Sequence, residues 1–245
     1  TMTTIPIDTT GAITDSGTLT ITGTTTLNAG ATAVTLDEAA SAFTGAVSLT
    51  GSNASVLNTL ATVLGVSTLT GNLGVTSTAG AVTNTGKLAV TGTTTVNAGA
   101  GNNITLGTAT NTFGGALALI GDDVTVAATG AVKLGVITTA GDLAVTPTGA
   151  VTNTGALTIA GTTTVSAGAN DVTLGTAANA FTGAVATTGK NVTVLATGAV
   201  NLGATTATGN FAVTSTGAIT DSGNLTVTGT TTLNAGATAI TLDQA

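Results

Sequence analysis

The sequence predicts an all-β protein, a single-stranded parallel β-helix (β-solenoid) with about 20–23 residues per coil. Three observations carry that prediction. A long segment recurs at a nearly fixed interval, short runs alternate polar and apolar residues, and turn-forming residues separate those runs at near-constant spacing.

The repeat comes first. The segment GAITDSGTLTITGTTTLNAGATAVTLDEA (Gly11–Ala39) returns as GAITDSGNLTVTGTTTLNAGATAITLDQA (Gly217–Ala245). The two differ only at Thr18/Asn224, Ile21/Val227, Val34/Ile240 and Glu38/Gln244. Middle copies open with GAVTNTGKLAVTGTTTVNAGA at Gly80 and GAVTNTGALTIAGTTTVSAGA at Gly149. The chain therefore reads as one continuous solenoid segment, 1–245, built on a 68–69-residue super-repeat. Residues 1–10 form a partial repeat, 11–79, 80–148 and 149–216 are full repeats, and 217–245 is partial. Both ends interrupt a copy, which suggests a piece of a longer array. Copies differ in length only between Gly71 and Gly80 and between Gly99 and Leu106. Confining such changes to turns is required, because a one-residue slip inside a strand would turn its core side chains outward.

Within a copy the strands follow in order. Thr18–Thr22 alternates polar and apolar residues, as do Ala33–Leu36, Ala46–Leu49 and Val124–Val126. Each is the period-2 signature of a half-buried strand. Between them lie Asp15-Ser16-Gly17, Asn28-Ala29-Gly30 and Gly121-Asp122-Asp123, types that tolerate positive φ or form Asx turns. We expect roughly nine strands per copy, hence three coils of about 23 residues. Coils of about 20 residues, or an extra short strand at Phe43, are also compatible. A β-sandwich needs longer strands, and a propeller needs blades of about 40–50 residues.

Composition agrees. Thr occurs 64 times, and its branched side chain suits a strand. Charged residues are 5% and aromatics 2%, yet 42% of residues are apolar and mean hydropathy is +0.56, so a core can form. No apolar run reaches the ~18 residues of a membrane helix, and a membrane barrel would want aromatic girdles. Ten acids against three lysines give a net charge of −7 and no basic patch, so nucleic acid is not an expected partner. No signal peptide is visible. With no Cys and no His, neither a thiol nor a histidine-based catalytic constellation is possible.

The remaining candidates are modest. The adjacent acids Asp37-Glu38 and Asp122-Asp123 read as solvated corners rather than convergent catalytic carboxylates. Asp15 and Asp221, with counterparts Asn84 and Asn153, read as turn formers. No Gly-Gly-x-Gly-x-Asp calcium motif and no phosphate loop occurs. Sequons at Asn53, Asn103, Asn191 and Asn224 are expected by chance in so Thr-rich a chain. Lys87, Lys133 and Lys190 read as solubilising. Thr18, Thr20 and Thr22 should face outward, with Thr24-Thr25-Thr26 on the next face. Such an array could bind ice or polysaccharide, although intervening coils carry Ala, Ser or Gly there. No catalytic, cofactor-binding or metal residue is expected, and the chain does not read as an enzyme.

The runs Gly223–Ala245 and GSNASVLNTLATVLG (Gly51–Gly65), with the phrases Gly-Ala-Ile/Val-Thr and GDLAVT at Gly141, resemble the repeat regions of filamentous-haemagglutinin-type exoproteins. These adhesins leave the cell by two-partner secretion. The resemblance spans essentially the whole chain. It implies a right-handed parallel β-helix shaft of a secreted or cell-surface bacterial adhesin, located outside the cell. Its partners would be further copies of the repeat, in the same chain or in neighbouring subunits, with receptors bound by regions outside this segment. The family's secretion domain is not recognisable here, and no site residue carries over. The alternatives are a filament subunit polymerising end to end, and the ice- or polysaccharide-binding face.

Overall fold

The computed structural model describes residues 5–244. Among them every regular element is a β-strand, and the strands pair in parallel with the coil above and below. Two tall sheets form the walls of a β-solenoid. Along the first wall twelve strands stack in order, from Ile13–Thr14 to Thr231–Asn234. The second wall runs from Ile5–Asp8 to Ile240–Thr241. At the usual spacing the stack is on the order of 50 Å tall.

Register gives the coil length. Val34 lies against Ala54, and Val172 against Val192, so a coil is about 20 residues. Of the expected coil lengths, about 20–23 residues, the structure has on average the shorter, and the strand estimate holds. Residues 80–148 contain nine strands, from Val82–Asn84 to Leu143–Pro147. Those nine strands make only seven wall passages, because some passages are bent and hold two short strands each. Val82–Asn84 with Leu88–Val90 is one such passage, and Ile104–Leu106 with Thr112–Phe113 is another. The strand foreseen at Phe43 exists as Ala42–Phe43, paired with Thr20–Ile21 at another of these bends.

Seven passages are three and a half coils, so each copy begins on the wall opposite to its predecessor. Ile13–Thr14 and Val151–Asn153 belong to the first wall, while Val82–Asn84 and Ile219–Asp221 belong to the second. The exchange happens where two unbent passages follow each other, as in Ala116–Gly121 then Val124–Ala128. There the coil is shortest. Val47 meets Leu64, Leu117 meets Leu134, and Val185 meets Leu202, each 17 residues on. Within two of these pairings a bulge adds one residue, between Leu134 and Ile137 in one copy and between Leu202 and Thr205 in the next. Gly135 occupies the bulge because a Cβ there would lie 3.0 Å from the Leu117 carbonyl oxygen, and Val136 points outward, 56% exposed.

The core is a set of columns running along the axis. Val132, Val151, Val172, Val192 and Phe211 succeed one another in register, and all are buried. Each large aliphatic side chain so placed contributes about 1.5–3 kcal/mol relative to exposure. Length differences between copies fall where they were expected, outside the strands Leu73–Ser77 and Thr94–Asn97. The Asn-Ala-Gly corners are Asx turns. The Gly30 N–H donates to Asn28 Oδ1 at 3.0 Å, with Gly30 at φ 58°, and Gly99 does the same to Asn97 at 2.9 Å.

Candidate functional site

The chemistry-bearing side chains collect at corners and bends rather than in a cleft. At the corners, one Asx side chain per coil accepts the backbone N–H of the next. Asn53 Oδ1 accepts from Asn72 at 2.7 Å, and Asn72 Oδ1 accepts from Thr93 at 2.8 Å. Asn103 accepts from Asp123 at 3.2 Å, Asp123 from Asp142 at 2.8 Å, and Asp142 from Thr162 at 2.6 Å. Asn191 and Asn210 continue the series at 3.0 Å each. Except at Asp123, which follows Asp122, a Gly precedes each of these donors because the Asx oxygen fills the space of its Cβ, as Asp123 Oδ1 does 2.1 Å from where a Gly141 Cβ would lie.

This places most of the sequence candidates. Asp123 is a rung of the ladder, beside Asp122. Three of the sequon asparagines, Asn53, Asn103 and Asn191, are also rungs. Asn224 leads into the strand Leu225–Val227. The Asp37 N–H donates to Asp15 Oδ1 at 3.1 Å, and the Glu38 carbonyl accepts from Ser41 at 3.0 Å, closing a turn. Lys87 precedes the strand Leu88–Val90, Lys133 lies in Val132–Thr139, and Lys190 follows Ala184–Gly189, on three different coils. Among the described residues no group of three acids is arranged to hold a metal ion.

The bends hold what sequence reasoning missed. Asn179 is fully buried. Its Oδ1 accepts from the Leu157 N–H at 3.0 Å and from Asn153 Nδ2 at 2.7 Å, while its Nδ2 donates to the carbonyls of Leu174 (3.3 Å) and Leu195 (3.1 Å). Asn111 does the same one copy earlier, with Leu88, Asn84, Leu106 and Ala127. A bend interrupts the ladder and orphans backbone groups, and a primary amide replaces a missing peptide, since it both donates and accepts. The first copy solves the problem differently. Ser41 stands in place of the asparagine and accepts from Leu19 at 3.1 Å. Asn58, where later copies have Ala128 and Ala196, reaches in from the next coil to the N–H and C=O of Phe43, each at 3.0 Å. Asn84 and Asn153 are thus more than turn formers. Each also donates to a carbonyl two residues on, at Gly86 (2.8 Å) and Gly155 (3.0 Å). The sequence signal was a small polar residue two positions before a Phe, in Ser41-Ala-Phe43, Asn111-Thr-Phe113 and Asn179-Ala-Phe181.

The Thr array needs a second correction. Thr18, Thr20 and Thr22 are exposed as expected, but Thr25 is 1% exposed and points inward, as do Thr94 and Thr163. Their hydroxyls have no hydrogen-bond partner among the described residues. Outward threonines are nevertheless more continuous than the sequence suggested. Thr83, Thr105 and Thr125 stack on consecutive coils of one wall, and Thr152, Thr173 and Thr193 on the other.

A cavity of about 460 Å³ opens among the first coils, lined chiefly by core residues such as Ile13, Leu27 and Phe43. Asp15 lies in its wall, and among the described residues no second carboxylate lines it. What fold and side chains define together is a repeat protein of the β-solenoid class, its polar groups committed to holding coils to one another.

The chain belongs to the DUF5649 family, repeats of unknown function, whose model matches residues 1–50, 51–120, 121–188 and 189–245. The two inner units, 51–120 and 121–188, have about the length of the sequence repeat but a different phase, and units open at Gly51, Gly121 and Gly189, where the two unbent passages meet. No curated protein and no solved structure matches the chain.

Proposed function

We propose that the chain is part of the structural shaft of a large secreted or cell-surface bacterial fibre, of the filamentous-haemagglutinin type, and carries no catalytic site. The observation that carries this reading is the use of polar groups. Asx ladders, bend asparagines and Gly-lined close approaches all bind coil to coil, and each coil touches mainly its neighbours, so length can be extended without changing the cross-section. Such a rod suits holding a binding tip away from a surface, with further copies of the same repeat as its partners. Immunogold labelling of intact cells with antibodies to this segment tests the proposal. Label along fibres outside the cell is expected, and label confined to the interior overturns it.

The registered threonine files favour a second reading, in which the walls bind an ordered surface such as ice. An ice-recrystallisation assay on the purified chain decides that reading, and inactivity removes it.

A further inference from the structure

Near-identical copies face a hazard. Aliphatic columns and backbone ladders fit one coil on another almost equally well wherever the alternation is kept, so they discriminate poorly between correct and slipped stacking. At the bends the first copy differs from the later two, and it differs as a matched set. In the first copy the set is Asp15, Ser41 and Asn58; in the second it is Asn84, Asn111 and Ala128; in the third it is Asn153, Asn179 and Ala196. Asn111 Oδ1 needs the Nδ2 donor of Asn84 at 2.9 Å, which a carboxylate cannot supply. Where Asp15 replaces that asparagine, Ser41 takes the buried position and accepts from the Leu19 N–H at 3.1 Å, Asn58 arrives from the following coil to satisfy Phe43, and Asp15 Oδ2 has no partner among the described residues.

A second buried position behaves the same way. Leu119 and Ile137 are register partners and fully buried. Their counterparts one copy later, Thr187 and Thr205, are also register partners, each 2% exposed, with hydroxyls 3.2 Å apart. In these two copies both members are apolar or both are polar, whereas the first copy is mixed. In the first copy the pair is Leu49 and Ser67, and the Ser67 hydroxyl is occupied by backbone, accepting from Leu49 N–H at 3.1 Å and donating to the Gly65 carbonyl at 3.2 Å.

We infer that these matched buried sets are register keys: they individualise otherwise interchangeable coils and make a slipped stack leave a polar group buried without a partner. An orphaned buried polar group costs about 1–3 kcal/mol, whereas a slip between identical aliphatic rungs costs little.

The test is a substitution cycle in the full chain, read by amide hydrogen exchange and by recovery after unfolding. Asn84→Asp and Asn111→Ser, each alone, should speed exchange at Leu88 by roughly tenfold or more, the equivalent of about 1.4 kcal/mol, and leave Leu157 in the neighbouring bend unchanged. The triple variant Asn84→Asp, Asn111→Ser, Ala128→Asn should regain most of that protection and refold to a single protease-resistant species. As an independent arm, Thr187→Leu alone should lower recovery of that species, and Thr187→Leu with Thr205→Ile should restore it. Matched variants that are as impaired as the sum of their single changes overturn the inference, as do single variants that refold like the parent chain.

Discussion

The straight strand Val192–Ala196 and the bend from Val151 to Ile159 lie on the same wall and draw on the same residue types, yet they are held by different means. The straight strand pairs residue by residue with Phe211–Ser215 over all five positions. Its stability is distributed, and each inward Val is one of many equivalent contacts. In the bend the ladder breaks between Asn153 and Leu157, and four hydrogen bonds pass through the single amide of Asn179. Repetition gives redundancy along straight faces and concentrates fragility at bends.

Four substitutions press on that contrast. The largest effect is expected from Asn179→Ala, which takes away the acceptor of the Leu157 N–H, one of the two acceptors of the Asn153 amide, and the side-chain donor to two carbonyls. About 3–5 kcal/mol of local stability should be lost, since several buried polar groups are orphaned together. Hydrogen exchange should locate the loss at residues 153–181 and spare the equivalent bend around Asn111. Next comes Gly183→Ala. Its Cβ would sit 2.3 Å from the Gly161 carbonyl oxygen, so backbone must move, at a cost of about 1–3 kcal/mol visible as a lower denaturation midpoint. Asn191→Ala removes one rung of an exposed corner ladder whose neighbours remain, and about 0.5–1.5 kcal/mol should be lost by the same measurement. The smallest effect has the opposite sign. Thr94→Val replaces a buried hydroxyl that has no partner, and should raise the midpoint by the equivalent of up to about 1 kcal/mol. A loss there would mean that the hydroxyl is satisfied by something within the solenoid.

Much of this was legible before any coordinates. Alternation in Ala46–Leu49 announced the strand Val47–Gly51, and Asn28-Ala29-Gly30 announced its Asx turn. The walls were readable because inward and outward residues alternate regardless of what lies above or below. Thr25 misled, because a threonine is as consistent with the inside of a strand as with the outside once its neighbours Thr24 and Thr26 are the same. Asn111 and Asn179 were missed for a related reason. Asparagine serves exposed turns far more often than buried bends, and only the interrupted ladder around it tells the two apart.

The sequence by itself determined the unit, its strands and its corners, because these depend on residues near one another along the chain. Which strand rests on which was decided by the tertiary structure. A coil closes when the chain has gone once around, and that length follows from how bends, bulges and corners sum, not from the interval at which the sequence repeats. The two periods do not coincide, so successive copies begin on opposite walls, and a side chain such as Asn58 finds its partner in a coil that no local pattern identifies.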